Sequence, residues 1–447
     1  MRLKLLTLAL ALSAISLPGH GEDLLDAYRE ARANDPVLSQ AEATRLATGE
    51  GVTQARALLL PQVNGSASLS QSSGANASTA LDESGAQING GHVRTRSESL
   101  TLDQTILDLS KIADLHAARS QAQSQDATYQ AALQDLFVRV TAAYFNVLTS
   151  EDQLAFAKAN EEALKRAYDQ AEQRFNVGLA AITDEYQAKS AYELARAQTI
   201  AAQNTLNDAR EALRQITGKP VGELKKLRED LPLLPPTPND PDTWVQEALR
   251  SNPNIAAQQY NVEAAEHSVN AAKAGHLPTL NAQVSRGTSS SWMEKIGGAF
   301  ADRNGRYGTT VGVTLSVPIF AGGATQSRVR QSIYQRDAAE DALESQRRQV
   351  TRDTLNFYRS VLAGISQVQA NKASVEAGQK SLEATRAGFD VGTQTMLDVL
   401  NAIQTLTQAE SSYSQSRHQF ILDQLQLKQA AGTIDLKDLE AVNSLLQ

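Results

Sequence analysis

The chain has 447 residues, of which 41% are apolar, 21% charged and 5% aromatic, which suffices for two or three ordinary domains and is too apolar for a disordered chain. Its 42 Lys and Arg against 50 Asp and Glu give a net charge of −8, which argues against a nucleic-acid surface. The absence of cysteine excludes a disulfide framework, a thiolate metal site, a cysteine nucleophile and a lipid-anchored N-terminal cysteine.

Residues 1–21 read as a secretory leader. Arg2 and Lys4 form a positive start, Leu5 to Leu17 a short apolar core, and Gly19-His20-Gly21 a small-residue cleavage site. Its removal takes the net charge from −8 to −10, since two cations leave with it. No later stretch reaches 18 consecutive apolar residues, so an inner-membrane helical protein is not expected.

Prolines then divide the chain, because an interior proline breaks a helix or a central strand. Six of the 12 lie between Pro220 and Pro241, while none occurs from Gln62 to Lys219 or after Pro318. Residues 218–243 therefore read as a Pro-rich linker, placed at the equator of the molecule. It separates two copies of one pattern. A shift of 217 superposes Ala31, Pro36, Val52, Ala55, Ala57, Leu60 and Pro61 on Ala248, Pro253, Val269, Ala272, Ala274, Leu277 and Pro278. A shift of 214 superposes Tyr144, Leu148, Phe175, Val177, Gly178, Asp184 and Gly218 on Tyr358, Leu362, Phe389, Val391, Gly392, Asp398 and Gly432. The expected organisation is a tandem duplication, 22–217 and 244–447.

Each repeat opens with a capped helix, after Asn34-Asp35-Pro36 and Ser251-Asn252-Pro253, which runs to Pro61 or Pro278. Two strands follow in each. In the hairpin 61–107 they are Gln62 to Ser72 and Arg94 to Ile106, and in the hairpin 278–320 they are Thr279 to Ser289 and a strand through Ile319. In that last strand Val311, Val313, Leu315, Val317 and Ile319 alternate with small or polar residues. Residues 109–177 then contain neither glycine nor proline, and Tyr129, Leu133, Leu136, Val140, Tyr144 and Val147 keep a coiled-coil spacing. This predicts a helix about 100 Å long, broken at Gly178 and followed by a second from Leu179 to Thr217. The second repeat predicts the same from Gly322 to Val391 and Thr393 to Ala431. Tyr144 and Tyr358 are expected in the core.

A strand of about 12 residues, tilted by about 45°, spans about 28 Å, the thickness of a bilayer's hydrocarbon. Four strands neither close a barrel nor leave edges that lipid tolerates, so several copies must contribute. Two copies would give eight strands; three would give twelve and an open bore. Residues 61–107 hold no aromatic, which leaves an interfacial girdle to Trp292, Tyr307 and Phe320.

Arg174-Phe175-Asn176-Val177-Gly178 with Ile182-Thr183-Asp184, Phe389-Asp390-Val391-Gly392 with Asp398-Val399-Leu400, and Val317-Pro318-Ile319-Phe320-Ala321-Gly322-Gly323 resemble the TolC family of outer-membrane efflux proteins. The resemblance covers essentially the whole mature chain. It implies a mainly α fold: long coiled-coil helices forming a periplasmic tunnel, with four strands per chain in a homotrimeric 12-stranded transmembrane barrel. It implies an outer-membrane exit duct for multidrug efflux, type I protein secretion or both. The partners implied are a periplasmic adaptor (membrane-fusion protein), an RND or ABC pump in the inner membrane, and outer-membrane lipid. It also implies a periplasmic constriction at Thr183, Asp184, Phe389, Gly392, Gln394, Asp398 and Asn401, and an adaptor-docking tip at Val177, Gly178, Val391 and Gly392. Here Phe389 stands where the family often has tyrosine, Gln394 where it often has arginine, and Asn401 at a second acidic position.

No paired metal spacing among the histidines, nucleophile elbow or phosphate-binding loop is present, so neither an enzyme nor a cofactor is expected. The competing expectation is a periplasmic coiled-coil adaptor or structural protein of an export complex, which would carry compact β domains in place of isolated hairpins.

Overall fold

The computed structural model describes residues 22–73, 92–294, 300–303 and 305–447. The leader, most of the first hairpin's loop and the side chain of Trp292 lie outside the described residues. The chain divides into two compact units: one takes the chain up to Glu42, Thr128–Ile255 and Arg347–Gln447, the other Ala43–Ala127 and Ala256–Gln346.

In chain order the elements are α1 (Leu24–Asn34), α2 (Pro36–Ala57), β1 (Gln62–Ser73), β2 (His92–Leu107), α3 (Leu109–Asn176), α4 (Ile182–Thr217), α5 (Pro241–Ser251), α6 (Pro253–Ala274), β3 (Thr279–Glu294), β4 (Phe300–Arg303), β5 (Gly308–Ser316), α7 (Ala324–Asp390), α8 (Met396–Ala430) and α9 (Leu436–Asn443). The long helices α3 and α7 have 68 and 67 residues. Their followers start later than periodicity predicts, at Ile182 and Met396, because the chain uses the residues after Gly178 and Gly392 to reverse. Helices α2 and α6 stop short of their prolines. The amides of Leu60 and Leu277 bond the carbonyls three residues back, at 3.0 and 2.9 Å, tightening the last turn before a residue that avoids the helical region. Strand β5 ends at Ser316 and not at Ile319, since Pro318 has no amide for a ladder.

The first unit is helical around a core that includes Leu24, Leu136, Tyr144, Phe145, Leu213 and Leu439. Tyr28 stacks on Phe137 with ring centroids 4.6 Å apart. The Pro-rich segment is tied down, which composition did not foretell. Leu224 bridges Glu22 and Leu227 bridges Leu446 through the backbone, and both leucines are buried. The buried Tyr144 hydroxyl lies 3.0 and 2.9 Å from the carbonyls of Glu22 and Lys225, and Tyr358 donates to Asn239 at 2.8 Å. Asp240 caps α5 through the amides of Asp242 and Thr243. Gly218 and Gly432 end α4 and its counterpart with positive φ, and a Cβ on them would meet Asn34 at 2.9 Å and the Ser251 carbonyl at 2.4 Å. The helix ends thus sit tight against the α1–α2 and α5–α6 junctions.

The second unit holds the sheet. β1 pairs β2, β2 pairs β3, and β3 pairs β4 at one end and β5 at the other, all antiparallel. The register separates two faces. One carries Asn64, Thr101, Ser285 and Thr310 in one row and Ser66 beside Ser99 in the next, with Ser66–Ser99 and Ser97–Ser289 hydroxyl pairs at 2.8 and 3.1 Å. The other carries Val63, Leu102, Val284 and Val311 in one row, then Ala282 with Val313 and Leu280 with Leu315. These apolar side chains are largely exposed, Val311 at 71% and Val63 at 60%.

Asp35 joins sequence to packing in the first unit. It accepts the Leu38 amide at 2.9 Å as the cap of α2, and it holds Arg139 at 2.7 Å while its own side chain is only 2% exposed. Burial alone would raise its carboxyl, but the Arg139 hydrogen bond and the Leu38 amide outweigh it and hold the group below the usual carboxylate value. Asp35→Ala is expected to cost about 2 kcal/mol, from a lost cap and an arginine left without one partner. Because the folded value is depressed, this stabilisation is present above the ordinary carboxylate value and is lost as pH falls through the folded one. Thermal unfolding of the native protein and the variant against pH checks both; their stabilities should converge in acid.

Candidate functional site

The two long helices end in the same way. Leu179 N–H bonds Arg174 C=O at 2.8 Å and Gly178 N–H bonds Phe175 C=O at 2.9 Å; Thr393 N–H bonds Gly388 C=O at 2.8 Å and Gly392 N–H bonds Phe389 C=O at 3.1 Å. Each is the doubly bonded glycine stop that satisfies the last carbonyls of a helix. It requires a left-handed residue, and Gly178 and Gly392 have φ of 75° and 80°. No atom lies within 4 Å of a Cβ built on either, so glycine is demanded there by backbone conformation and not by crowding.

Behind the stops the helices pack through small residues: Ala167, Ala171, Ala188 and Ala195 sit with Leu164, Met396, Val399 and Ile403. Phe389 packs at the edge of this cluster, and the Arg174 guanidinium lies 4.7 Å from its ring centroid. One reversal is thereby clipped to the other through a cation on an aromatic face. The tips themselves are apolar and exposed, Val177 at 69% and Val391 at 76%.

The acidic residues divide into two cases. Asp398 stands third in α8 and completes a capping box: Thr395 N–H and Oγ1 donate to its carboxylate at 2.9 and 2.6 Å, and its own amide donates to Thr395 Oγ1 at 3.2 Å. The Thr395 hydroxyl, then the Thr395 amide, hold its carboxyl below the ordinary value. The pattern Thr-x-x-Asp before an apolar run is a legible helix start, and sequence reasoning that looked only for a lumen charge passed over it. Asp184 occupies the same third position in α4, but its cap residue is Ala181, which offers no side-chain bond. Among the described residues the Asp184 side chain makes no hydrogen bond or ion pair of the kind that Thr395 gives Asp398, and its charge is the freer of the two. Both carboxylates lie at the positive end of a helix dipole.

The remaining candidates are separated. Thr183 is exposed beside Asp184. Gln394 folds back on the second stop: its backbone N–H donates to Gly388 C=O at 3.2 Å, and a Cβ on Gly388 would meet its Cγ at 2.6 Å. Asn401 lines a groove of about 290 Å³ between α4 and α8, with Leu194, Gln198 and Leu397. Among the described residues no group of three or more His, Cys, Asp or Glu is arranged to hold a metal ion.

The profile of the outer membrane efflux protein family matches residues 27–219 and 244–433. Outer membrane protein TolC of Escherichia coli is 36% identical over 445 residues, covering 98% of this chain and 88% of its own. The alkaline protease secretion protein AprF of Pseudomonas aeruginosa is 28% identical over 424 residues, covering 94% and 86%. Among solved structures, the Campylobacter jejuni CmeC outer membrane channel superposes with a TM-score of 0.76 at 18% identity, covering 97% of this chain and 95% of that one.

Two substitutions test the local chemistry. Gly178→Val should cost about 1 kcal/mol or more because it forces a β-branched residue to positive φ, whereas Gly178→Asn should cost less. Hydrogen exchange at the Leu179 amide reads the difference. Thr395→Ala should speed exchange at the Asp398 and Val399 amides several-fold by opening the first turn of α8, while exchange at Asp184 stays unchanged.

Proposed function

The chain belongs to the outer membrane efflux protein family, and from that premise we propose that it works as a passive duct through which drugs or proteins leave an inner-membrane pump for the exterior. It is an outer-membrane protein with a large periplasmic portion and serves as the exit duct of efflux and type I secretion. Its family is one of channel proteins and not of enzymes.

The observation that carries the reading is the two-faced sheet with two unpaired edges. Among the described residues β1 and β5 pair only inward, with β2 and β3. Three successive antiparallel pairings leave β5 antiparallel to β1, so the last strand of one copy can bond the first strand of the next. Lipid cannot satisfy an open edge, and a ring of such copies removes it. The apolar face then meets lipid and the Ser, Thr and Asn face lines a watery bore. Because β4 and β5 follow one another along the same edge of β3, each copy is four strands wide; three copies give twelve, enough for an open channel, and the protein is read as a homotrimer.

The rest of the assignment follows the helices. The leader is 1–21, the repeats are 22–217 and 244–447 with hairpins 61–107 and 278–320, and the linker is 218–243. The reversals at Val177, Gly178, Val391 and Gly392 close the long helices whose other ends adjoin the strands, and their exposed valines suit the helical hairpin of a periplasmic adaptor serving an RND or ABC pump. The constriction is assigned to Thr183, Asp184, Phe389, Gly392, Gln394, Asp398 and Asn401. Within that set Asp184 supplies the uncommitted carboxylate, and three copies of it around an axis would concentrate cations.

The cysteine-free chain makes closure testable. Val63→Cys combined in turn with Thr309→Cys, Val311→Cys or Val313→Cys is expected to give, in at least one pair, an oxidative ladder that ends at three copies; a ladder ending at two, or none with any pair, contradicts the trimer. For the constriction, trivalent cations on the periplasmic side should block single-channel conductance. Asp184→Asn should weaken that block more than Asp398→Asn, since Asp398 is engaged in its cap. Unchanged block in both variants and in the double variant would remove the acidic residues from the lumen.

A further inference from the structure

Along the apolar face of the sheet the rows change character. They are mainly apolar from Leu280–Leu315 through Ala282–Val313, where Gln104 is the polar member, and Val63–Leu102–Val284–Val311 to Gly65–Leu100. At that last row, and then further from the helices, the same face turns cationic: Arg286 stands opposite Leu100, Arg96 opposite Leu69 and Ser290, and Arg94 opposite Gln71. All three arginines are exposed. Among the described side chains of these rows there is a single carboxylate, Glu98, which accepts Arg96 Nε at 2.8 Å and the Tyr307 hydroxyl at 3.0 Å. Among the described residues the Arg94 side chain bonds the neutral Gln71 amide oxygen, at 2.9 Å. Arg286 pairs with Leu100 and Thr309 through its backbone, while its side chain has no hydrogen bond or ion pair among the described residues. Gly65 and Ala67 carry almost no side chain, and they leave a hollow of about 500 Å³ lined also by Leu100, Arg286, Tyr307 and the Glu98 that Arg96 and Tyr307 engage.

We propose that Arg94, Arg96 and Arg286 form a binding site for the phosphorylated headgroup of a lipid in the outer leaflet. The proposal rests on the reading of this sheet as a membrane wall. The register adds Asp302 to the row of Arg94, beyond Trp292, so three arginines face two acidic residues, and in a chain of net charge −8 that excess still runs counter to the overall sign. A guanidinium grips a phosphate through paired N–H donors, and basic groups at a membrane surface attract anionic headgroups. Position selects a lipid over a free anion: the arginines continue the apolar rows on the same face, so acyl chains would lie along Leu100, Leu102, Val284 and Val311 while the phosphates reach the cations. The rows lie at the strand ends away from the helices, and with the helices periplasmic this is the outer leaflet. The small residues at Gly65 and Ala67 leave room for a sugar-sized group beside Arg286.

The test uses the full-length oligomer in non-ionic detergent and native mass spectrometry. The probes are a diphosphorylated, acylated diglucosamine, the same glycolipid without phosphates, and inorganic phosphate. The phosphorylated lipid is expected to bind about tenfold or more tighter than the dephosphorylated one, as hydrogen bonds to charged groups imply. The combined Arg94→Gln, Arg96→Gln and Arg286→Gln variant should lose that preference. Glu98→Gln should strengthen it by freeing Arg96, a gain that misfolding does not produce. An absent preference in the native protein, a preference kept by the triple variant, no gain in Glu98→Gln, or displacement of the lipid by inorganic phosphate at equal concentration each overturn the proposal. Insertion into liposomes is scored in parallel. A protein that inserts but shows no phosphate preference fails this proposal alone, and one that does not insert fails the membrane-wall reading with it.

Discussion

A β-strand that borders lipid must have both of its edges bonded, because hydrocarbon offers no partner for an amide or a carbonyl. This chain builds strands of bilayer length, yet among the described residues its sheet leaves the outer edges of β1 and β5 open. The two edges are antiparallel to one another, so the deficiency has a solution that repeats: another copy of the same chain. Other features are consistent with that solution. One sheet face is made of small hydroxyl and amide residues that water can wet, the other of valine and leucine that it cannot, and such a division has value only if the ring separates a bore from a lipid phase.

The helical part answers a different demand, which is to reverse direction twice without leaving carbonyls unbonded. Both reversals use the same glycine stop, and both following helices place an aspartate in the third position, where the helix dipole favours it. The repeats have diverged at the cap. Thr395 commits Asp398 to holding the helix start, whereas Ala181 leaves Asp184 uncommitted. Duplicated positions therefore need not keep duplicated bonding: one of the pair is engaged in a capping box and the other has no capping side chain. The Arg174–Phe389 contact joins the two reversals directly.

The joint between the repeats has the same economy. Tyr144 and Tyr358, equivalent by the shift of 214, both reach the intervening segment, one at Lys225 and the other at Asn239. A proline-rich stretch has few amides to form elements of its own, and here its remaining groups are bonded by tyrosine hydroxyls, by Trp244 donating to Pro238 at 2.9 Å, and by backbone bridges to both ends of the described chain. Gly218 and Gly432 bring the ends of α4 and α8 to this joint at distances that a side chain would block.

The sequence by itself determined the mainly α class, the strand faces and the points where the long helices stop. Those properties are local: a period of two sorts residues between faces, a run without glycine or proline stays helical, and a glycine such as Gly178 or Gly392 ends it. It also carried the constriction candidates through family resemblance, though not their roles. What tertiary structure decided depended on partners far apart in the chain. Register set which residues share a row, and so collected Arg94, Arg96 and Arg286 on one face; nothing in their spacing along the chain brings the last beside the first two. Packing placed Arg174 on Phe389 and turned a composition-defined linker into bonded structure. The capping of Asp398 was local and legible, yet it separated from Asp184 only once the hydrogen bonds were seen, because a threonine and an alanine in equivalent positions differ by a single acceptor.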